Sequence, residues 1–308
     1  MITVLAQMFG LILCGILWRL LKPAGLNANQ TRLVLTQVVY FLFLPALVLS
    51  VLWQAKLGIN SVKYSILAVS SIVFGAVAIW GMNRFTNMAP RQLGAVLLAT
   101  AFPNVTYLGL PVLEKTFGPW ARSVAIQMDL FAGLPLLLTV GILVAQHYGN
   151  SGKTGKLPLL SLFRVPALVV GGVAVALGLA GITIPVWLDD WLNLLIPVVV
   201  PLMLFSLGLG LEWSAMRWRN LPRIMPVIVV KLFVMPFFAF LVARAIGLEG
   251  DELTASVLEI AMPSMVLGIV LCDRYELDTP LYAMAVTTTT LLSLVTLPLW
   301  YDWLVAWQ

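Results

Sequence analysis

The sequence predicts an all-α polytopic membrane protein. It should have ten transmembrane helices in two inverted five-helix repeats, with broken and crossing fourth and ninth helices. Three observations lead there. The 308 residues are 61% hydrophobic and only 10% charged, with a mean hydropathy of +1.01, whereas a soluble domain carries about 25% charged residues. Apolar runs close to the ~20 residues that a helix needs to cross a bilayer recur along the whole chain. Two of those runs, 160 residues apart, carry a proline at the same place.

The ten runs cover about 3–18, 33–53, 62–82, 92–113, 121–146, 163–182, 190–211, 222–245, 252–272 and 280–305. The first, Met1 to Trp18, lacks the positive n-region and small-residue cleavage site of a signal peptide, so it reads as a retained span. The second carries Pro45 and the seventh Pro197 and Pro201, so both should be kinked. The fourth contains Ala101-Phe102-Pro103-Asn104-Val105-Thr106-Tyr107-Leu108-Gly109-Leu110-Pro111, where two prolines, a glycine and an asparagine should break the helix. Backbone groups freed in hydrocarbon find no water, so such a break is tolerated only inside protein or beside a water-filled cavity. The longest polar connection, His147 to Arg164, contains Gly149-Asn150-Ser151-Gly152-Lys153 and reads as a linker within one membrane domain spanning 1–308.

Shifting the chain by 160 residues lays Leu93, Ala95, Leu98, Ala101 and Pro103 on Leu253, Ala255, Leu258, Ala261 and Pro263, and Ala125 on Ala285. The repeats would run over about 1–148 and 160–308. Five spans is an odd number, so the halves must insert with opposite orientation, as in secondary transporters whose site lies at paired broken helices.

The formal charge of +5 is distributed between apolar segments, so it reads as a topology signal and not as a nucleic-acid surface. Connections after the odd-numbered spans hold twelve basic residues: Arg19, Lys22, Arg32, Arg84, Arg91, Lys153, Lys156, Arg164, Arg217, Arg219, Arg223 and Arg274. The other side holds five, Lys56, Lys63, Lys115, Arg122 and Arg244. The bias puts both termini outside (periplasmic) and the central connection in the cytoplasm of a cell inner membrane. Trp187, Trp191, Trp300, Trp303 and Trp307 lie near span ends and read as interface anchors.

Nothing resembles an enzyme centre, a cofactor site or a metal site. The chain has one histidine, His147, no glycine-rich phosphate loop, and two cysteines, Cys14 and Cys272, that fall inside apolar runs. The chemistry must come from polar groups inside spans. Asn104 follows Pro103 at the break, and Ser264 holds the matching place after Pro263. Each has two readings: a ligand group, or a hydrogen bond joining neighbouring helices. Thr106 and Gly109 belong to the same breaker-rich stretch. Half-helices that meet at a break also present amides and a positive dipole end, which favours an anion.

Asp129, Lys231 and Glu259 are ionisable and lie near the middles of spans 5, 8 and 9. A charge at the bilayer centre costs ~3 kcal/mol or more, so such residues face a cavity or a partner. They read as a proton-coupling carboxylate, or Lys231 as a counter-charge to an anionic substrate, or as an ion pair holding spans 5, 8 and 9 together. The hydroxyl run Thr287 to Thr290 reads as bonds back to the preceding turn, or as a polar lining or sodium site. Gln37, Tyr40, Gln127 and Ser206 are lesser candidates.

Pro103-Asn104 with Leu108-Gly109-Leu110-Pro111 resembles the N-x-x-x-x-G-x-P signature of the auxin efflux carrier family, in its bacterial members. Ala261-Met262-Pro263 and Cys272-Asp273-Arg274-Tyr275-Glu276-Leu277-Asp278 resemble the family's ninth span and following loop. The chain departs from the pattern at Ser264, where some members carry a second asparagine. The resemblance implies a sodium/bile-acid-symporter-like fold. Scaffold helices would lie at about 3–53 and 163–211, transport helices at about 62–146 and 222–305, with a homodimer through the scaffold. It implies a secondary carrier of small organic anions, such as auxin-like acids or dicarboxylates, working by an elevator-type motion in the bilayer. Pro103, Asn104 and Pro263 would be its site residues, and coupling to protons or sodium is open. A sodium-coupled symporter or cation/proton antiporter of the same architecture, and a non-transporting membrane sensor or scaffold, are the rival readings. The last lacks a soluble output domain.

Overall fold

A chain this apolar has to bond its backbone within each segment, and helices do that. The computed structural model describes residues 2–55, 57–149, 165–211, 216 and 218–307, and among them there is no β-strand. The linker positions 150–164 and the basic residues Lys56, Lys153, Lys156, Arg164 and Arg217 lie outside the described residues.

The helices are α1 (Ile2–Leu21), α2 (Ala28–Gln54), α3 (Ile59–Thr86), α4 (Pro90–Ala101), α5 (105–117) and α6 (Ala121–Tyr148). They continue with α7 (Pro166–Leu179), α8 (Val186–Gly210), α9 (Leu221–Ala245), α10 (Gly250–Ile260), α11 (Gly268–Arg274) and α12 (Thr279–Ala306). Six of them, α2, α3, α6, α8, α9 and α12, are long and apolar enough to cross a membrane. The fourth and ninth apolar runs are each split, into α4 with α5 and α10 with α11. Two helices begin ahead of their apolar runs under a polar cap. Asn27 accepts from the Asn29 and Gln30 amides to start α2 five residues early, and Asp278 accepts from Leu281 N–H to start α12.

Several prolines are met by a widened turn just before them. Four π turns, Val39–Phe43, Val105–Gly109, Asp129–Gly133 and Val230–Val234, each end two residues before a proline: Pro45, Pro111, Pro135 and Pro236. In three of them the residue just before the proline, Leu44, Leu134 or Met235, donates five residues back, to Val39, Asp129 or Val230. A proline ring would clash with the carbonyl four residues earlier. The widened turn moves that carbonyl away and keeps the helix going. Pro197 and Pro201, by contrast, sit within the uninterrupted helix α8.

By internal contacts the chain falls into two compact units. One comprises Met1–Gly58, Thr106–Ile126 and Leu159–Gly210; the other comprises Ile59–Val105, Gln127–Pro158 and Leu211–Gln308. In the first, α1 packs along α8, and α2 packs on α7 and α8. A Cβ on Gly15 would come 2.2 Å from the Phe205 carbonyl oxygen, and one on Gly208 2.0 Å from that of Ile12. Two bare backbones therefore touch here, the small-residue crossing that membrane helices use in place of a hydrophobic driving force. Arg19 donates to the Leu209 carbonyl at 2.7 Å and closes the C-terminal end of α8. Arg122 and Glu114 form an ion pair of 2.6 Å in a cleft of about 490 Å³ lined also by Gln7, Lys115, Pro197 and Pro201.

In the second unit, α3 packs on α4, α9 and α10, and α12 packs on α4, α10 and the first part of α9. The Trp300 indole donates to the Leu232 carbonyl at 2.7 Å, occupying a carbonyl in the π turn of α9. The loop matching the family pattern is fastened too: Arg91 donates to the Glu276 carbonyl, and Asp278 N–H to the Arg91 carbonyl at 3.2 Å.

Gly208→Ala should drive α1 and α8 apart at a cost of about 1–3 kcal/mol, read as a lower melting temperature in detergent. Gly10→Ala, whose new Cβ meets nothing within 4 Å, should leave the melting temperature unchanged.

Candidate functional site

Helix α4 stops at Ala101 because Pro103 forces the preceding residue out of the helical region. Phe102 is extended, with φ −102° and ψ 113°. Helix α10 ends at Ile260, three residues ahead of Pro263. The two extended stretches then pair. Asn104 N–H donates to the Pro263 carbonyl at 2.8 Å, and Met265 N–H donates to the Phe102 carbonyl at 3.0 Å. The result is an isolated antiparallel bridge between Pro103 and Ser264. Each break supplies the hydrogen bonds that the other has lost, which is how irregular backbone survives inside a membrane protein.

Helix α12 holds the second break in place. Ser264 N–H donates to the Thr289 hydroxyl at 3.1 Å, and that hydroxyl donates to the Ala285 carbonyl at 2.7 Å. The Tyr282 hydroxyl donates to the Met265 carbonyl at 2.6 Å. A Cβ on Gly268 would fall 2.0 Å from that hydroxyl, so only glycine admits the ring. Thr289 thus does more than bond to its own preceding turn, and Tyr282 was not singled out from sequence. A tyrosine inside an apolar span needs a partner for its hydroxyl, and that was the available signal.

With the backbone bonds spent on the bridge, two polar side chains are left open. Asn104 is 1% exposed and Ser264 is wholly buried; the Asn104 amide nitrogen and the Ser264 hydroxyl make no hydrogen bond. The structure therefore gives the helix-joining role at the crossing to the backbone. Pro103, Asn104, Pro263 and Ser264 come together, while Thr106 and Gly109 stay in the π turn before Pro111 and belong to the other unit.

Lys231 is the second residue of the α9 π turn, a turn that packs against α3, α4 and α12. It is wholly buried, and its Nζ makes no hydrogen bond or ion pair. The ion pair with Asp129 or Glu259 that the sequence allowed is not formed. Glu259, on the last turn of α10, is wholly buried with neither oxygen hydrogen-bonded. The charge of Asp129, the first residue of the α6 π turn, acts on it. In the hydroxyl run, Thr288 and Thr290 carry hydroxyls without a hydrogen bond.

This geometry has a family. A match to the family described as Membrane transport protein covers residues 1–152 and 151–301. The chain belongs to that family, the auxin efflux carriers. An uncharacterized transporter of Methanocaldococcus jannaschii is 27% identical over 288 residues, covering 91% of this chain and 92% of the relative. One of Methanothermobacter thermautotrophicus is 28% identical over 292 residues, with the same coverage. The uncharacterized transporter YfdV of Escherichia coli is 25% identical over 226 residues, 72% of this chain and 71% of its own. The protein is a multi-pass membrane transporter, and its family is one of transporters and not of enzymes.

Thr289→Val removes the acceptor of a buried N–H and should cost about 1–3 kcal/mol. Thr289→Ser keeps the oxygen and should recover most of the loss. Melting temperatures of the two variants against the parent check this.

Proposed function

We propose that this membrane transporter is a secondary-active carrier of small organic anions, with the substrate seated where the fourth and ninth helices are broken and cross. One observation carries the reading. Asn104, Ser264 and Lys231 present hydrogen-bond donors that are buried and unused. A buried donor without an acceptor costs about 1–3 kcal/mol, and more when charged. An amide NH₂ and an ammonium are donors only, so the ligand that relieves this cost is rich in acceptors. A carboxylate fits: it accepts from the Asn104 amide and the Ser264 hydroxyl, and Lys231 balances its charge. The apolar wall around the bridge, with Phe102, Val105, Met262 and Met265 all buried, suits the carbon skeleton of an auxin-like acid or a short dicarboxylate.

Pro103 and Pro263 set the backbone path, and Thr106 and Gly109 belong to the turn that restarts the helix. The paired breaks support ten spans in two inverted repeats, and the two compact units support an elevator-type alternating access with a scaffold through which two copies associate. The charge bias supports an inner-membrane orientation with both termini periplasmic. A sensor without flux has no observation in its favour.

Purified protein in liposomes, tested for counterflow of a panel of labelled mono- and dicarboxylates, should move at least one of them. Asn104→Ala and Lys231→Gln should each lower that uptake, by about tenfold to a hundredfold if one charge-assisted hydrogen bond of about 1.5–3 kcal/mol is lost. Their melting temperatures should stay at or above that of the parent, since each removes an unpartnered buried group. A panel that does not move, or variants with unchanged uptake, overturns the reading.

A further inference from the structure

We propose that the cleft in the first compact unit is a second binding site, for a small amphiphilic acid with one negative charge on an apolar body. The proposal stands apart from the carrier reading, since it names different residues and is tested by binding alone.

The cleft lies among α1, α5, α8 and the first turn of α6, all within Met1–Gly58, Thr106–Ile126 and Leu159–Gly210. Pro103, Asn104, Pro263 and Ser264 belong to the other unit, so the two sites share no residue. Its volume of about 490 Å³ falls within the range of about 300–1,000 Å³ common to small-molecule pockets. Helices α1 and α8 supply the wall. Met8 and Leu11 are three residues apart on α1, and Ile196, Val200 and Leu204 recur every four residues on α8. Each set therefore forms a stripe on one face of its helix. The α8 stripe is about 12 Å long at 1.5 Å per residue. It offers nothing to a charge and suits a hydrocarbon or ring skeleton.

The polar end is made by the last turn of α5 and the first turn of α6. Glu114 and Lys115 lie on the former and Arg122 on the latter. An Arg122 Nη donates to a Glu114 oxygen at 2.6 Å, with the two side chains 22% and 17% exposed. That bond uses one of five guanidinium donors. Arg122 Nε is buried and has no hydrogen-bond partner, and a buried donor left in this way costs stability until an acceptor reaches it. Lys115, exposed on the same side of the cleft as Glu114, adds a second cation. Gln7 on α1 adds an amide that can donate or accept.

The charges select the ligand. Among the described residues that line the cleft, two cations face one carboxylate, which leaves a single positive charge. A monoanion neutralises it. A dianion would leave a negative excess beside Glu114, and a cation would meet Arg122 and Lys115, so both are rejected by like-charge repulsion. A carboxylate has two acceptor oxygens, one for the Arg122 Nε–H and one for the Lys115 ammonium. Wall and charges belong to one cleft, so the head and the body of the same small molecule are held together.

Isothermal titration calorimetry on the full-length protein in phosphatidylcholine nanodiscs tests this, with phenylbutyrate as the probe. The Asn104→Ala variant is used as the parent, because it lacks the amide of the crossing. Phenylbutylamine and phenylsuccinate, a cation and a dianion, are the controls. Phenylbutyrate should bind, and each control should bind at least about tenfold more weakly. Arg122→Gln should weaken phenylbutyrate by about tenfold or more, the loss of one charge-assisted hydrogen bond. Val200→Trp fills the apolar wall with every charge intact and should abolish binding. If Arg122→Gln does not fold with Glu114 left unpaired, the double variant Arg122→Gln, Glu114→Gln is read in its place. No binding of phenylbutyrate, equal binding of the amine, or unchanged binding in the Arg122 and Val200 variants overturns the proposal. Binding should persist in nanodiscs that contain phosphatidylglycerol; its loss there gives the cleft to a lipid headgroup and overturns the small acid.

Discussion

Two hydrogen bonds, Asn104 N–H to Pro263 and Met265 N–H to Phe102, are the constraint on which the site depends. A helix interrupted in hydrocarbon exposes amides and carbonyls that cost several kcal/mol each if left bare. One break alone has no remedy from its own chain, because a proline has already removed a donor. Two breaks facing one another in antiparallel sense solve the problem together. The pairing also explains why the prolines occur at equivalent places in the two halves: moving either would strand the other's carbonyl. Helix α12 completes the arrangement by giving Thr289 and Tyr282 to the groups that the bridge does not reach.

Satisfying the backbone in this way has a consequence for the side chains. Were Asn104 and Ser264 needed to join helices, their polar atoms would be used up in the resting protein. Because backbone pairing does that work, they stay available in a dry place. The π turns do something similar for ionisable groups. Asp129 and Lys231 each lie at the start of a turn widened to clear a proline six or five residues ahead. Such turns are frequent at functional sites, and here one cause, relief of a proline clash, accounts for the placement of both residues.

Much of this was legible in the sequence, and the limits have physical reasons. The breaks at Pro103 and Pro263, and the open side chains beside them, follow from proline chemistry and a 160-residue shift. The depths of Asp129, Glu259 and Lys231 follow from counting residues, but their partners do not. Residues on separate helices can meet at the same depth in several ways, and the structure leaves Lys231 Nζ without a hydrogen bond. Apolar runs underestimated the helices, since Asn27 and Asp278 caps carry α2 and α12 beyond them. Tyr282 was passed over because composition says nothing of which carbonyl a buried hydroxyl will find. Proline spacing did not show how each proline is met: Pro45 follows a π turn, and Pro197 and Pro201 lie within an uninterrupted helix.

Lys231 and Glu259 are both fully buried and neither is held by an ion pair. A buried ion triad would be stable and inert, each charge cancelling its neighbour, and breaking it would cost several kcal/mol. The structure instead keeps Lys231 without an ion pair and both Glu259 oxygens without a hydrogen bond. A buried polar or charged group left in this way costs stability until a partner reaches it, so these two side chains are held at the expense of the fold.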